Sequence, residues 1–211
     1  HTYHMHRRAC PVPKDHPLKS KPAQKWFDQA VKEGQLPEAL QPTEGSLGLM
    51  PHALILGETG TGKTLLARWL HQMRSQHEDS FQDLNCGALP DNLIEVELFG
   101  GVKGAYTGLD RNTPGKIFCS AFGTLFLDEI GELPLDLQAK LLKFLDDGGY
   151  YPMGWHGPKL AVPTAVVAAS NRNLEEMVAQ DKFREDLFHR FRLQLRLPPL
   201  RERLSHFHQL V

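Results

Sequence analysis

From Ala53 onward the chain alternates short apolar runs with stretches whose apolar residues recur every three or four positions. Ala53-Leu54-Ile55-Leu56, stopped by Gly57, is too short for a helix and reads as a buried parallel strand. Leu65, Leu66, Trp69, Leu70 and Met73 then fall at helical spacing and predict a helix with those five on one face. Residues 81–85 are a weaker strand candidate, and 92–99 have helical spacing. Residues 124–127 form a second apolar strand. Residues 135–145 predict an amphipathic helix with Leu137, Leu141, Leu142 and Leu145 inward. Residues 165–169 read as a third strand and 174–179 as a helix. Strands alternating with helices imply an α/β layered fold around a mainly parallel sheet.

The first 50 residues have a different texture, rich in Pro, Lys and polar residues. Trp26, Phe27, Ala30 and Val31 predict one short helix there. Pro37, Pro42, Gly45, Gly48 and Pro51 mark a linker. The expected organisation is an extension over 1–50 and an α/β domain over 51–211. A length of 211 residues suits one domain with extensions.

Charge and cysteine usage narrow the class. A net charge of −1 argues against general nucleic-acid binding by the chain as a whole. Cys10, Cys86 and Cys119 are odd in number and widely spaced, as free thiols in a reducing cytosol would be. No apolar run reaches the ~18 residues of a membrane span, and no secretory signal is visible, so a cytoplasmic protein is expected. The opening His1-Thr2-Tyr3-His4-Met5-His6 lacks an initiating Met and reads as a fragment start or an added leader. Nothing there frames His1, His4 and His6 as a metal site.

The candidate chemistry begins at the first strand's end. Gly57-Glu58-Thr59-Gly60-Thr61-Gly62-Lys63-Thr64 follows the spacing GxxxxGK and then Ser or Thr, between an apolar strand and a helix. Glycines let consecutive backbone N–H groups curl around phosphates, and the helix start adds its positive dipole end. Lys63 is placed to reach the β- and γ-phosphates of ATP, and the Thr64 hydroxyl to ligate magnesium. The second strand ends in Asp128-Glu129, a Walker B pattern: the first acid for magnesium, the second as general base toward water. The third strand runs into Ser170-Asn171, whose amide could orient that water or sense the γ-phosphate. Arg184 and Arg190 are either paired with neighbouring acids or are fingers offered to another subunit's ATP; spacing leaves both open.

These motifs, in this order, resemble the AAA+ domain of bacterial enhancer-binding proteins, the activators of sigma-54 RNA polymerase. The resemblance runs from about Ala53 to Arg203. GETGTGKT resembles that family's Walker A, and GTLFLDEIGELPLDLQAKLL its Walker B and following helix. LNCGAL holds Asn85, at the position of an Asn that couples to the Walker B Glu. ELFGGVKGAYTGL is similar to the family's surface loop with its GAFTGA signature. FREDLFHRF maps the two fingers onto Arg184 and Arg190, and LPPLRER closes the α/β part. The resemblance implies an AAA+ P-loop NTPase three-layer sandwich, ATP and Mg2+ as cofactors, and a hexamer or heptamer ring. It implies that Gly104, Ala105, Tyr106, Thr107, Gly108 and Leu109 form the tip that touches the sigma-54 holoenzyme. The helical lid and a DNA-binding helix-turn-helix would lie past Val211, so any DNA contact is expected from outside this chain.

Three departures stand out. Tyr106 replaces the signature phenylalanine, and Leu109 the last alanine. Gly101-Val102 stands where His-Glu is more usual. A bulkier residue at the expected tip keeps two other readings open: a remodelling ATPase with another protein client, or a nucleotide-binding module without activator function.

Overall fold

The strand runs are apolar on both sides, so each needs cover on both faces. The computed structural model, which describes residues 23–35, 52–74, 81–199 and 201–202, meets that need with helices on either side of one sheet. His1, His4, His6, Cys10, the prolines and glycines of the expected linker, and Arg203 lie outside the described residues, as does the side chain of Trp26.

In chain order the elements are α1 (Ala23–Glu33), β1 (Ala53–Leu56), α2 (Lys63–Arg74), β2 (Phe81–Asn85), α3 (Asp91–Phe99), β3 (Gly100–Gly101), β4 (Thr113–Pro114) and α4 (Lys116–Cys119). There follow β5 (Thr124–Asp128), a 3-10 turn (Ile130–Glu132), α5 (Leu135–Asp147), β6 (Gly149–Tyr150), β7 (Leu160–Ala161), β8 (Ala165–Ser170), α6 (Leu174–Ala179), α7 (Glu185–Arg190) and β9 (Leu193–Arg196). The main sheet has the order β2-β5-β8-β1-β9, and every pairing in it is parallel. The edge strand β9 has no strong apolar run, only alternating half-buried and exposed residues, and sequence pattern alone misses it.

The period-two alternation of strand side chains splits the core into two layers. One layer gathers Leu54, Leu125, Leu127, Val166 and Ala168 with Phe99, Phe118, Leu137, Leu141 and Phe144 from the helices. The other gathers Ala53, Ile55, Phe126, Val167 and Ala169 under Ala67, Leu66 and Leu70 of α2. The lead-in helix α1 joins the first layer: Phe27 is fully buried and meets Phe118 edge-on at 5.3 Å.

Helix α2 departs from the pattern. Leu66 and Leu70 face the sheet, but Leu65, Trp69 and Met73 are 73%, 54% and 57% exposed. The inward positions are completed by Ala67 and by His71, whose Nδ1 lies 2.9 Å from Thr124 Oγ1. The phase of α2 is set by the glycine loop it grows from. The inner face therefore holds a small residue and a polar one, while large apolar residues ride outside.

Candidate functional site

Parallel strands end at one edge, and the segments that leave β1, β5 and β8 meet there. Leu56 is level with Ser170, Leu127 with Ala168, and Asn85 with Asp128. Gly57 N donates to Ser170 O at 3.1 Å, which fixes the start of the glycine loop to β8. A Cβ on Gly57 would lie 2.9 Å from Thr61 Oγ1 and 3.0 Å from Leu197 O, so no larger residue fits. Gly60 and Gly62 have φ of +82° and +94°, conformations that other residues adopt only at a cost, and their open side faces no protein atom within 4 Å.

The first helical bond of α2 runs from Leu66 N to Gly62 O, so the N–H groups of Lys63 to Leu65 precede the ladder. Such groups are what a helix start offers an anion. The Lys63 ammonium is largely buried and donates to Gly57 O at 2.9 Å and Glu58 O at 3.0 Å. Thr61 Oγ1 donates to Glu58 O at 2.8 Å and braces the same turn, while Thr64 is exposed. A curled loop with an open concave side, a buried cation and an exposed hydroxyl next to it fits a nucleotide triphosphate with magnesium.

Asp128 ends β5 and accepts from Glu129 N at 3.0 Å. Glu129 is left-handed, with φ 53° and ψ 46°, a conformation that costs roughly 1–2 kcal/mol outside glycine. That turn aims its carboxylate back toward β2: a Cβ on Gly87 would lie 2.7 Å from Glu129 Oε2 and 3.5 Å from Asn85 Oδ1. Asn85 Oδ1 accepts from Gly87 N at 2.8 Å. Gly87 thus lets the two side chains approach, a role that spacing alone did not reveal. Cys86 between them has its thiol pushed up to about 12, chiefly by burial and to a lesser extent by the charges of Asp128, Glu129 and Glu132. It is a protonated, inert thiol there.

Asn171 Nδ2 donates to Thr59 Oγ1 at 3.2 Å, so the end of β8 does touch the glycine loop. Glu58 on that loop is gripped by the two terminal guanidinium nitrogens of Arg201, at 2.8 and 2.9 Å. This hydrogen-bonded fork holds the Glu58 carboxyl below its usual range. Arg201 was not singled out from sequence; LPPLRER offered no spacing that ties it to Glu58.

The two candidate finger residues are elsewhere. Arg184 forks onto Asp186 at 3.0 and 2.7 Å. Arg190 donates to Leu145 O and Asp146 O and pairs with Asp146 Oδ1 at 3.1 Å. Neither bonds to a glycine-loop residue among the described residues. Gln138, fully buried in α5, links the regions: its amide donates to Leu133 O at 2.7 Å and accepts from Arg184 N at 2.9 Å.

Between β3 and β4 the 104–109 segment forms two consecutive tight turns. Ala105 N bonds Val102 O and Leu109 N bonds Tyr106 O, with Gly104 at φ +82° and Gly108 at φ +101° in the third positions. Gly104 N to Leu109 O, 2.9 Å, closes the base. Ala105 and Tyr106 are half-buried, and Thr107 and Gly108 are exposed. Leu109, expected at the exposed tip, is instead buried, 8% accessible, and packs on Gly101 at the base. The turn at 106–109 reverses the chain, and this carries Leu109 back to the hairpin. Lys103 N donates to Asn112 Oδ1, and Asn112 also bonds Gln24 and Asp28 of α1.

Glycine loop, paired acids and polar strand end, in the sheet order β2-β5-β8-β1-β9, mark a P-loop fold of the AAA+ class. The family described as the Sigma-54 interaction domain matches residues 31–196, and the chain belongs to that family. It is 49% identical over 151 residues to the DNA-binding transcriptional regulator NtrC of Escherichia coli K12, covering 71% of this chain and 32% of that protein. It is 48% identical over 151 residues to the nitric oxide reductase transcription regulator NorR1 of Cupriavidus necator, covering 71% of this chain and 29% of the other. The crystal structure of NtrX from Brucella abortus in complex with ATP superposes with a TM-score of 0.66 at 28% identity, over 90% of this chain and 40% of that one. The chain thus spans about a third of the length of the curated relatives it matches. Among the described residues no helix is long and apolar enough to cross a membrane.

Proposed function

We propose that this chain is the ATP-hydrolysing domain of a cytoplasmic bacterial transcriptional activator, one that converts the closed sigma-54 RNA polymerase complex into the open one. The observation that carries this reading is the convergence at one sheet edge of the Lys63 loop, Asp128, Glu129 and Asn171. The glycine loop and α2 start would hold the triphosphate, with Lys63 leaving its two carbonyl partners for the β- and γ-oxygens. Thr64 and Asp128 would hold magnesium, which supplies charge neutralisation at the transferring phosphoryl group. Glu129, turned away from the strand axis by its left-handed backbone, accepts the proton of the attacking water. Asn171, already on the loop through Thr59, positions that water or reads the γ-phosphate.

Arg184 and Arg190 would complete the site of a neighbouring subunit, which requires a ring of hexamer or heptamer type and exchange of their present carboxylate and carbonyl partners. Asn85 would report the state of Glu129 toward α3 and the 104–109 loop, which touches sigma-54 through Tyr106 and Thr107. Burial of Leu109 removes the bulky residue from the contacting surface, and with it the reason for preferring another client. DNA binding would belong to sequence outside this chain.

The test is Glu129→Gln in the ring-forming protein. ATP should bind as in wild type while turnover falls by about 10²- to 10⁴-fold, the usual contribution of a positioned general base. Undiminished turnover removes Glu129 as the base. A wild-type protein that hydrolyses ATP yet fails to capture sigma-54 with a transition-state analogue bound would remove the sigma-54 reading.

A further inference from the structure

Two of the three departures in the loop segment fall on a single contact. Gly101 lies in β3, and a Cβ placed on it would stand 2.7 Å from Leu109 Cδ2, closer than carbon atoms approach. The next nearest atom, Met153 Cβ, is 3.7 Å away, so the space is taken chiefly by Leu109. Gly101 has no need of glycine for its backbone conformation; its positive-φ neighbour is Gly100. The missing side chain makes room, and Leu109 fills it to 8% exposure.

Around this contact the chain is cross-tied. Val102 N bonds Met153 O, and Met153 N bonds Gly100 O, both at 2.9 Å. The backbone oxygen of Leu109 accepts the bond from Gly104 N that closes the loop, and its N–H bonds Tyr106 O at 3.2 Å. A residue that is both the apolar plug and the two-ended backbone clasp decides where the Tyr106–Thr107 turn stands.

We propose that Leu109 and Gly101 are a complementary steric pair, and that Leu109 is a positioning residue that seats the 104–109 loop on β3 and so presents Tyr106 to the partner protein. The pair rests on geometry alone. The presentation of Tyr106 rests on the sigma-54 reading above. Shortening Leu109 leaves an apolar gap and a loosened base. Enlarging Gly101 drives Leu109 out of its seat. Doing both removes the clash, since an alanine methyl at 101 occupies part of the space that Leu109 vacates.

The experiment is a cycle of Gly101→Ala, Leu109→Ala and the double variant, read in three ways. In urea unfolding, Gly101→Ala should lower the midpoint in the wild-type background and leave it level or raise it in the Leu109→Ala background; equal losses in both overturn the pair. In native trypsin digestion, cleavage after Lys103 and Arg111, which flank the loop, should rise about tenfold in each single variant and less in the double. Unchanged cleavage in Leu109→Ala overturns the anchoring. Third, the KM and kcat for ATP should stay within about twofold in Leu109→Ala while capture of sigma-54 by the analogue-trapped protein falls, and Leu109→Met should restore it. Cleavage that rises while capture stays level overturns the positioning role. If wild type itself captures no sigma-54, the function reading fails and the first two readouts still judge the pair.

Discussion

The nucleotide cradle and the 104–109 loop are both short, glycine-rich connections, but they are held by different means. The cradle leaves β1, which is paired on both sides over all four of its residues, and its partners' ends supply the acids and the amide. The loop leaves a hairpin only two residue pairs long, and Leu109 and Asn112 hold it at its base. In the cradle, many backbone bonds fix positions and single side chains carry chemistry. In the loop, backbone bonds close the turns locally, and two side chains, Leu109 and Asn112, seat them on the rest of the fold. Substitutions in the cradle should therefore change rates without changing order, and substitutions at the loop base should change order without changing rates.

Among the substitutions that test this contrast, the largest effect is expected at Gly87. An alanine there would press its methyl against Glu129 Oε2 and displace the carboxylate. Turnover should fall by up to about 10²-fold, the scale of an ångström's misplacement. ATP affinity and trypsin cleavage after Lys103 should stay at wild-type levels. A change in cleavage without a change in turnover would reverse the contrast between the two regions.

A smaller effect is expected from Asn112→Ala, which removes the acceptor of Lys103 N and the side-chain tie to Asp28 of α1, while the bond from Gln24 to the backbone oxygen of residue 112 stays. Each hydrogen bond is worth about 0.5–1.5 kcal/mol net, so local opening should rise about fivefold. Trypsin cleavage after Lys103 reports it, with turnover level. Hydrogen exchange should also rise slightly in α1, because one of its two bonds to residue 112, that from the Asn112 amide to Asp28, is lost.

The smallest effect concerns the cradle's rim. Arg201 holds the Glu58 carboxyl below its usual range in the folded protein. The pair's stabilisation is thus present above the ordinary carboxylate pKa and lost as pH falls through the lowered folded value. The difference in urea midpoint between wild type and Arg201→Ala should be small at pH 7 and should shrink toward zero as pH drops below about 4. A difference that grows on acidification would show that Arg201 acts through something other than Glu58.

The cradle was legible because its chemistry is local in sequence: one strand, one glycine loop and one helix start lie within 22 consecutive residues, from Ala53 to Arg74. The acids of β5 were legible for the same reason, being the polar end of an apolar run. The inner face of α2 was not legible because period alone cannot choose which stripe is inward when His71 and Ala67 occupy the buried side and Trp69 the open one. Arg201 and Gly87 were invisible because each matters only through a residue far off in the chain, Glu58 and Glu129.

What the sequence by itself determined is the identity of the parts. A strand of ALIL, a glycine loop of GETGTGKT leading into a helix, and a strand ending in Asp128 are each legible from local pattern, because backbone geometry leaves few alternatives at those spacings. What only the tertiary structure decided is how the parts meet. Leu109 looked like an obstacle at an exposed tip and proves to be a plug in the space left by Gly101. Two departures separated by eight positions fall on one contact, and no one-dimensional pattern encodes that a missing side chain and an added one share the same volume.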